Sequence, residues 1–231
     1  MFARELASSE VNSRASERVL NGENLSPGIS VLNINNIAYW IGKDGAYTTA
    51  GSPNGTMADY PIFTGGFIYS DGMLWGAKVK GDGQGDEVRV GGSTYNHGLK
   101  AGRIITDANG AVLGSDDPVN NHVWRVRKDY ASADLTVDAA NYYAVGTGDV
   151  TAAQIAVVKN QYEYDWYNWP AAWGAPYHDV NGDGSYDPAV DVPGYPGADQ
   201  TMWTIANDVP LIVNADGCLL YTSDAADDPA S

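Results

Sequence analysis

The apolar residues between Ile29 and Lys128 come in short runs, each closed within a few residues by Gly, Asn, Asp or Pro. Such breaks disfavour helices of ordinary length and suit short strands. Ile29 to Trp40 is β-branched and alternating, and predicts one strand. The stretch from Gly42 to Gly55 is rich in Gly, Asn and Pro and predicts turns. Phe63–Tyr69 (FTGGFIY) and Met73–Val79 (MLWGAKV) flank Ser70, Asp71 and Gly72, and an Asp-Gly turn between apolar runs predicts a hairpin. Glu87–Val90 reads as the next strand. Leu99–Thr106 and Ala111–Leu113 flank Asp107–Gly110 and predict a second hairpin. His122–Lys128 sets Val123, Arg125 and Arg127 against Trp124 and Val126, the pattern of a half-buried strand. Short strands at this spacing predict a mainly β chain with a β-sandwich-like antiparallel body.

The period then changes. Thr151 followed by Gln154 is a capping-box pattern. Ile155, Val158, Tyr162, Trp166 and Trp169 follow at three- and four-residue steps, which predicts one apolar helical face over Ala152–Trp169, stopped by Pro170. Thr136–Tyr143 predicts a shorter helix before it, so the helical insert runs over about 136–169. Ala171–Gln200 is rich in Gly, Pro and Asp and predicts a long acidic loop. Thr201–Ala206 reads as a strand again. The domain reading is therefore a single β-rich domain over 26–217, incomplete at its C-terminus. Residues 1–25 read as a loosely structured lead-in with no apolar signal core, as a trimmed leader or a start inside a longer frame would leave. Residues 218–228 back-translate in frame into what resembles transposon-end and adapter DNA. Residues 218–231 therefore read as an adapter-derived tail. The only cysteine, Cys218, falls in that tail, so the remainder offers no disulfide, thiol nucleophile or thiolate ligand.

Charge narrows the function classes. The chain carries 29 acids against 13 bases, a net charge of −16. That balance disfavours nucleic acid and anionic membrane surfaces as partners, and no apolar run is long enough to span a bilayer. The acidity is local. Residues 26–128 hold nine acids and nine bases, whereas 129–217 hold thirteen acids and one base, Lys159. Within the acidic part, Asp179–Asp187 (DVNGDGSYD) matches the first nine positions of a calcium loop. Side chains at Asp179, Asn181 and Asp183 can converge as oxygen ligands when the loop winds round one cation. Gly184 permits the sharp turn, Ser185 offers its carbonyl, and Asp187 binds directly or through water. The twelfth position is Val190 rather than a bidentate Glu, and Pro188 blocks an exiting helix. The pattern therefore excludes an EF-hand and predicts a rigid Ca2+-stabilised loop, its shell completed by Asp191 and in part by Asp199. The alternative is a cluster of Asx turns. With one base in the stretch, internal salt bridges are a poor account of so many acids.

Catalytic signatures are absent: no HExxH, no G-x-S-x-G, no Walker A and no dinucleotide fingerprint occurs. His97, His122 and His178 stand apart and read as surface or turn histidines. Glu163 and Asp165, two residues apart on the helix, do not share a face. A carboxylate pair for glycoside hydrolysis could form only across the fold. The helix and its exit are crowded with Tyr162, Tyr164, Trp166, Tyr167, Trp169 and Trp173. The periodic members predict packing onto a sheet. Tyr164, Tyr167 and Trp173 are the candidates for stacking on a ligand ring, the alternative use of flat exposed aromatics.

Three stretches carry a resemblance. They are Gly65–Phe67 with Gly72–Val79; Arg89–Tyr95 (RVGGSTY) leading to Gly98–Arg103; and Asp165–Pro170 (DWYNWP) with Gly174–Tyr177, the Asp179 loop, Pro193-Gly194, Gly197–Gln200 and Asn207-Asp208. Over roughly Asn33–Asp208 the chain resembles the N-terminal region of uncharacterised secreted proteins of Bacteroidetes- and Ignavibacteria-type bacteria, which often end in a type IX secretion sorting domain. The resemblance implies a secreted or cell-surface, β-rich bacterial protein longer than this chain, without an assigned activity. The function expected is a non-catalytic structural or interaction domain with a calcium-stabilised loop, its partners glycans or other surface proteins. The alternative is a glycan-binding module or part of a secreted glycan-processing enzyme.

Overall fold

The computed structural model describes residues 28–45, 51–52, 54–69, 71–72, 74–80, 86–92, 99–115 and 122–207. The lead-in over 1–25 and the tail over 218–231 lie outside the described residues. The described residues within 28–42, 51–69 and 122–203 form one compact unit, and those within 43–45, 71–115 and 204–207 form a second.

The first unit opens with β1 (Ile29–Leu32) and β2 (Ala38–Gly42), antiparallel with Val31 opposite Trp40. The stretch expected as one strand is thus a hairpin. Asn33, Asn35 and Asn36 lie at its bend, where Asn side chains favour turns over ladder pairing. Val31, Ala38 and Trp40 are fully buried and pack with Ile29, Ile62 and Tyr142. β3 (Ala58–Asp59) and β4 (Gly66–Ile68) extend the sheet in the order β1-β2-β3-β4.

The hairpin expected over 63–79 does not form. β4 turns back onto β3. β5 (Leu74–Lys80) instead pairs forward with β6 (Asp86–Gly92), in unbroken register from Leu74 opposite Gly92 to Lys80 opposite Asp86. A seven-residue ladder offers more backbone bonds than the short β4 could give, and the Asp-Gly signal at Asp71-Gly72 yields to it. β5 and β6 belong to the second unit. So does β7 (Lys100–Ala101), which pairs with β14 (Ala206–Asn207). β8 (Ile104–Thr106) and β9 (Val112–Ser115) form the expected hairpin. At its turn Asp107 Oδ1 accepts the N–H groups of Asn109 and Ala111, each at 2.8 Å. Those two bonds hold the Asp107 carboxyl below the usual carboxylate range.

The rest of the first unit carries the helices. β10 (Trp124–Arg127) pairs antiparallel with β13 (Gln200–Trp203), Trp124 opposite Trp203. The half-buried strand expected here is buried on both faces: Trp124, Val126 and also Arg125 are withdrawn from solvent. Arg125 is drawn in by buried acceptors described below. α1 (Thr136–Tyr143) and α2 (Ala152–Tyr167) fill the expected insert. Val158 and Tyr162 of the apolar face of α2 pack on Leu135, Ala139 and Tyr143. The capping box is complete: Thr151 N–H donates to Gln154 Oε1 at 2.8 Å, and Gln154 N–H to Thr151 Oγ1 at 3.3 Å. Thr151→Ala removes that cap and is expected to cost about 1 kcal/mol, read as a lower urea midpoint at unchanged slope. The architecture is thus mainly β, in small antiparallel sheets with two helices. Among the described residues no helix is long and apolar enough to cross a membrane.

Candidate functional site

The sequence-predicted loop is the connection of a short hairpin. β11 (Tyr177–His178) pairs with β12 (Val192–Pro193), and residues 179–191 arch between them. Asp179 organises the first half. Its Oδ1 accepts Gly182 N–H at 2.6 Å and its Oδ2 accepts Gly184 N–H at 2.8 Å. The chain can curl this tightly because both glycines take positive φ, +74° and +77°, which a side chain would oppose. Asn181 and Asp183 continue the pattern: Asp183 N–H donates to Asn181 Oδ1 at 3.2 Å, Ser185 N–H to Asp183 Oδ1 at 2.8 Å, and Asn181 Nδ2 to Asp183 Oδ2 at 2.9 Å. Asp187 Oδ1 accepts Ala189 N–H at 2.9 Å.

Asp191 differs from half-buried Asp179 and from exposed Asp183 and Asp187. It is buried at the neck, 2% exposed. Its Oδ1 accepts Val180 N–H at 2.9 Å and its Oδ2 accepts Asp187 N–H at 2.8 Å, so one carboxylate ties both arms of the loop. The loop is also fastened to the end of α2. Tyr186 Oη donates to the Trp166 carbonyl at 2.6 Å, and Trp166 Nε1 donates to the Pro188 carbonyl at 3.0 Å. Burial, with Asp191 and other negative groups near, pushes the Tyr186 phenol well above its usual value. The phenol therefore remains a donor.

The predicted ligands Asp179, Asn181, Asp183, Ser185, Asp187 and Asp191 thus share one loop. Asp199 is elsewhere, paired with Lys128. Among the described residues no group of three or more His, Cys, Asp or Glu side chains is gathered as a metal shell. The loop carboxylates are turned onto the loop's own amides. Each carboxylate oxygen has more than one acceptor site, so an oxygen bonded to an amide retains a lone pair for a cation.

The division of charge along the sequence is undone in space. Asp138 is buried, 1% exposed. It accepts Arg125 Nη2 at 2.6 Å and Tyr162 Oη at 2.5 Å on Oδ1, and Arg127 Nη1 at 2.8 Å on Oδ2. Arg127 also donates to Asp129, whose carboxyl that bond holds below the usual range. Gln200 Nε2 donates to Tyr162 Oη at 2.6 Å, and Gln200 Oε1 accepts the N–H groups of Asn33 and Ile34. Arg125 Nη2 reaches Asn33 Oδ1 at 2.7 Å, and the guanidinium lies 4.6 Å from the centre of the Tyr162 ring. Burial raises the Tyr162 phenol far above its ordinary value. Arg125, Arg127 and Lys128, from the preceding, balanced segment, pair with Asp138, Asp129 and Asp199, whereas among the described residues no ion pair reaches the acids of the 179–191 loop.

A second polar contact was not legible in sequence. His122, at the entry to β10, and Asp165 of α2 meet with Nε2 2.7 Å from Oδ1. Asp165 is 0% exposed. It also accepts Arg125 N–H on Oδ2 at 2.8 Å and Gln161 Nε2 on Oδ1 at 3.0 Å. Burial raises its carboxyl, and the His122 bond opposes that rise. The expected separation of Glu163 and Asp165 is seen, the first exposed and the second buried.

The three aromatic candidates have different surroundings. Tyr164 is 49% exposed and lies nearly parallel to Trp124, 12° between planes and 6.2 Å between centroids. Tyr167 is 57% exposed. Trp173 is partly buried against the cluster of Trp124, Val126, Trp169 and Ala175. Compared with known protein families, curated proteins and solved structures, the chain matches none.

Proposed function

We propose that the chain is a structural or interaction domain of a secreted or cell-surface protein, its β-sandwich-like body braced by a calcium ion in the 179–191 loop. The observation that supports this most is the curl set by Asp179. Its two oxygens fix the amides of Gly182 and Gly184, which leaves the oxygen-bearing side chains of positions one, three, five and nine on a single tight arch. Calcium takes six to eight oxygens at about 2.3–2.6 Å, and this arch offers carboxylate, amide and carbonyl oxygens without nitrogen or sulfur competitors. A cation there would neutralise exposed acids that no ion pair reaches among the described residues. Secretion and surface location rest on the sequence resemblance.

Thermal melts of the full chain in calcium and in chelator test the proposal. Calcium at a hundredfold excess over its Kd adds about 2.7 kcal/mol to the native state. For a chain of this size that is a rise in Tm on the order of 5–10 °C. Magnesium is expected to do much less, since it demands near-octahedral geometry and keeps its waters. Coincident melts with and without calcium would leave the loop as a set of Asx turns and end the proposal.

A further inference from the structure

The geometry points to a neutral-glycan subsite at the start of β10, built from Tyr164 as platform and His122 as polar rim. It rests on the interaction-domain reading above and names the partner class and the residues. Three rings meet here. His122 stands edge-on to Trp124 at 4.6 Å and to Tyr164 at 6.2 Å, and Tyr164 and Trp124 lie nearly parallel. Trp124 is buried and anchors the group in the core, while Tyr164 is half exposed and His122 is 24% exposed at its side chain. The surface side of the cluster is therefore one braced aromatic face with an imidazole at its margin.

The imidazole is held in one orientation. Asp165 receives donors on both oxygens from Arg125 N–H and Gln161 Nε2, so its carboxylate acts as acceptor. The pair therefore turns Nε2 of His122 inward to Asp165 and leaves Nδ1 as the ring nitrogen outside the pair. A buried acceptor that fixes a half-exposed histidine pre-pays the ordering of that side chain before any ligand arrives. Asp165 is a positioning residue; it touches no ligand.

A pyranose ring fits this pairing. One of its faces is rich in C–H groups and lies flat on an aromatic ring, while its equatorial hydroxyls reach outward as hydrogen-bond donors. Nδ1 of His122, the ring nitrogen outside the Asp165 pair, exchanges a hydrogen bond with such a hydroxyl, which can donate or accept. Charge selects among sugars. The chain is strongly acidic, with a net charge of −16, so uronic and sulfated polymers are repelled and neutral ones are not.

Affinity electrophoresis of the full chain in gels containing hydroxyethyl cellulose, glucomannan, laminarin, mannan or arabinoxylan tests the subsite. At least one neutral polymer is expected to retard the wild type, and polygalacturonate none. Tyr164→Ala is expected to weaken binding at least tenfold, as loss of a central aromatic anchor does, and His122→Ala about fivefold. Asp165→Asn, which keeps shape but frees the imidazole, is expected to weaken binding severalfold and to abolish the difference between His122 and His122→Ala. Tyr195→Ala, at a more exposed tyrosine outside the cluster, is the control and is expected to bind as wild type. Thermal melts of each variant confirm that it is folded. Retardation by none of the neutral polymers overturns the subsite, as does equal loss in Tyr164→Ala and Tyr195→Ala. Wild-type binding by His122→Ala reduces the dyad to a clasp between strand and helix and overturns its role. A calcium-dependent melt with no polymer binding would sink the subsite alone, and polymer binding with no calcium effect would sink the metal loop alone.

Discussion

Asp138→Ala is expected to lower the stability of the first unit by roughly 3–5 kcal/mol, the cost of removing one partner from a buried ion pair. Three donors lose a charged acceptor at once: Arg125 Nη2, which keeps only the neutral Asn33 Oδ1, Arg127 Nη1 and Tyr162 Oη. Arg127 keeps Asp129 and reaches solvent. Arg125 cannot follow, because it is almost fully buried. Its Nε already lacks a hydrogen-bond partner. The uncompensated charge on Arg125 is what makes the substitution costly. In a thermal melt the loss corresponds to a fall in Tm on the order of 10 °C. The double variant Asp138→Ala with Arg125→Met removes the orphaned charge along with its partner and is expected to recover a substantial part of the loss. A double variant no better than Asp138→Ala would locate the cost in the vacated volume instead.

Asp191→Ala carries the second large effect, about 3 kcal/mol or more. Two amides, Val180 N–H and Asp187 N–H, lose bonds to a charged acceptor, each worth roughly 1.5–3 kcal/mol. The loop then keeps the two-residue pairing of β11 and β12, the bond from Gly194 N–H to the Pro176 carbonyl, and the Tyr186 and Trp166 bonds to the end of α2. This loss does not depend on any cation, so it is expected in chelator as well as in calcium. If calcium binds as proposed, the variant loses the calcium-dependent increment in addition, and the gap between its melt and that of the wild type widens when calcium is added. Hydrogen exchange at Gly182 and Gly184, whose amides Asp179 covers, reports the same opening locally.

Local chemistry was legible and distant chemistry was not. Thr151 and Gln154 are three residues apart, and both halves of their capping box formed as expected. The helix over Thr136–Tyr143 and the Asp107–Gly110 hairpin are likewise short-range, as are the amide bonds along Asp179–Asp187. The Asp71-Gly72 hairpin failed although its signal is also local. Strand choice is a competition, and β5 found a longer partner ahead of it than behind it. Asn33–Asn36 broke an alternating run because periodicity counts apolar residues and not turn formers. Arg125 was expected on the open face of a strand. Its burial is decided by Asn33, 92 residues earlier, and Asp138, 13 residues later. His122 and Asp165 are 43 residues apart with no motif linking them, so only the pairing of elements could reveal their contact.

Gln200 closes the first unit onto its beginning. Its side chain caps the amides of Asn33 and Ile34, 167 and 166 residues back along the chain, and also bonds Tyr162. On a ribosome moving at about 5–20 residues per second, the acceptor emerges roughly ten to thirty seconds after the amides it serves. Throughout that interval β1 and β2 can pair with each other but lack their far-end fastening, and β10 lacks β13. The first unit is thus assembled in two stages: Val31 and Trp40 can meet across their hairpin early, but the polar fastening at its bend is complete only once residue 200 has emerged.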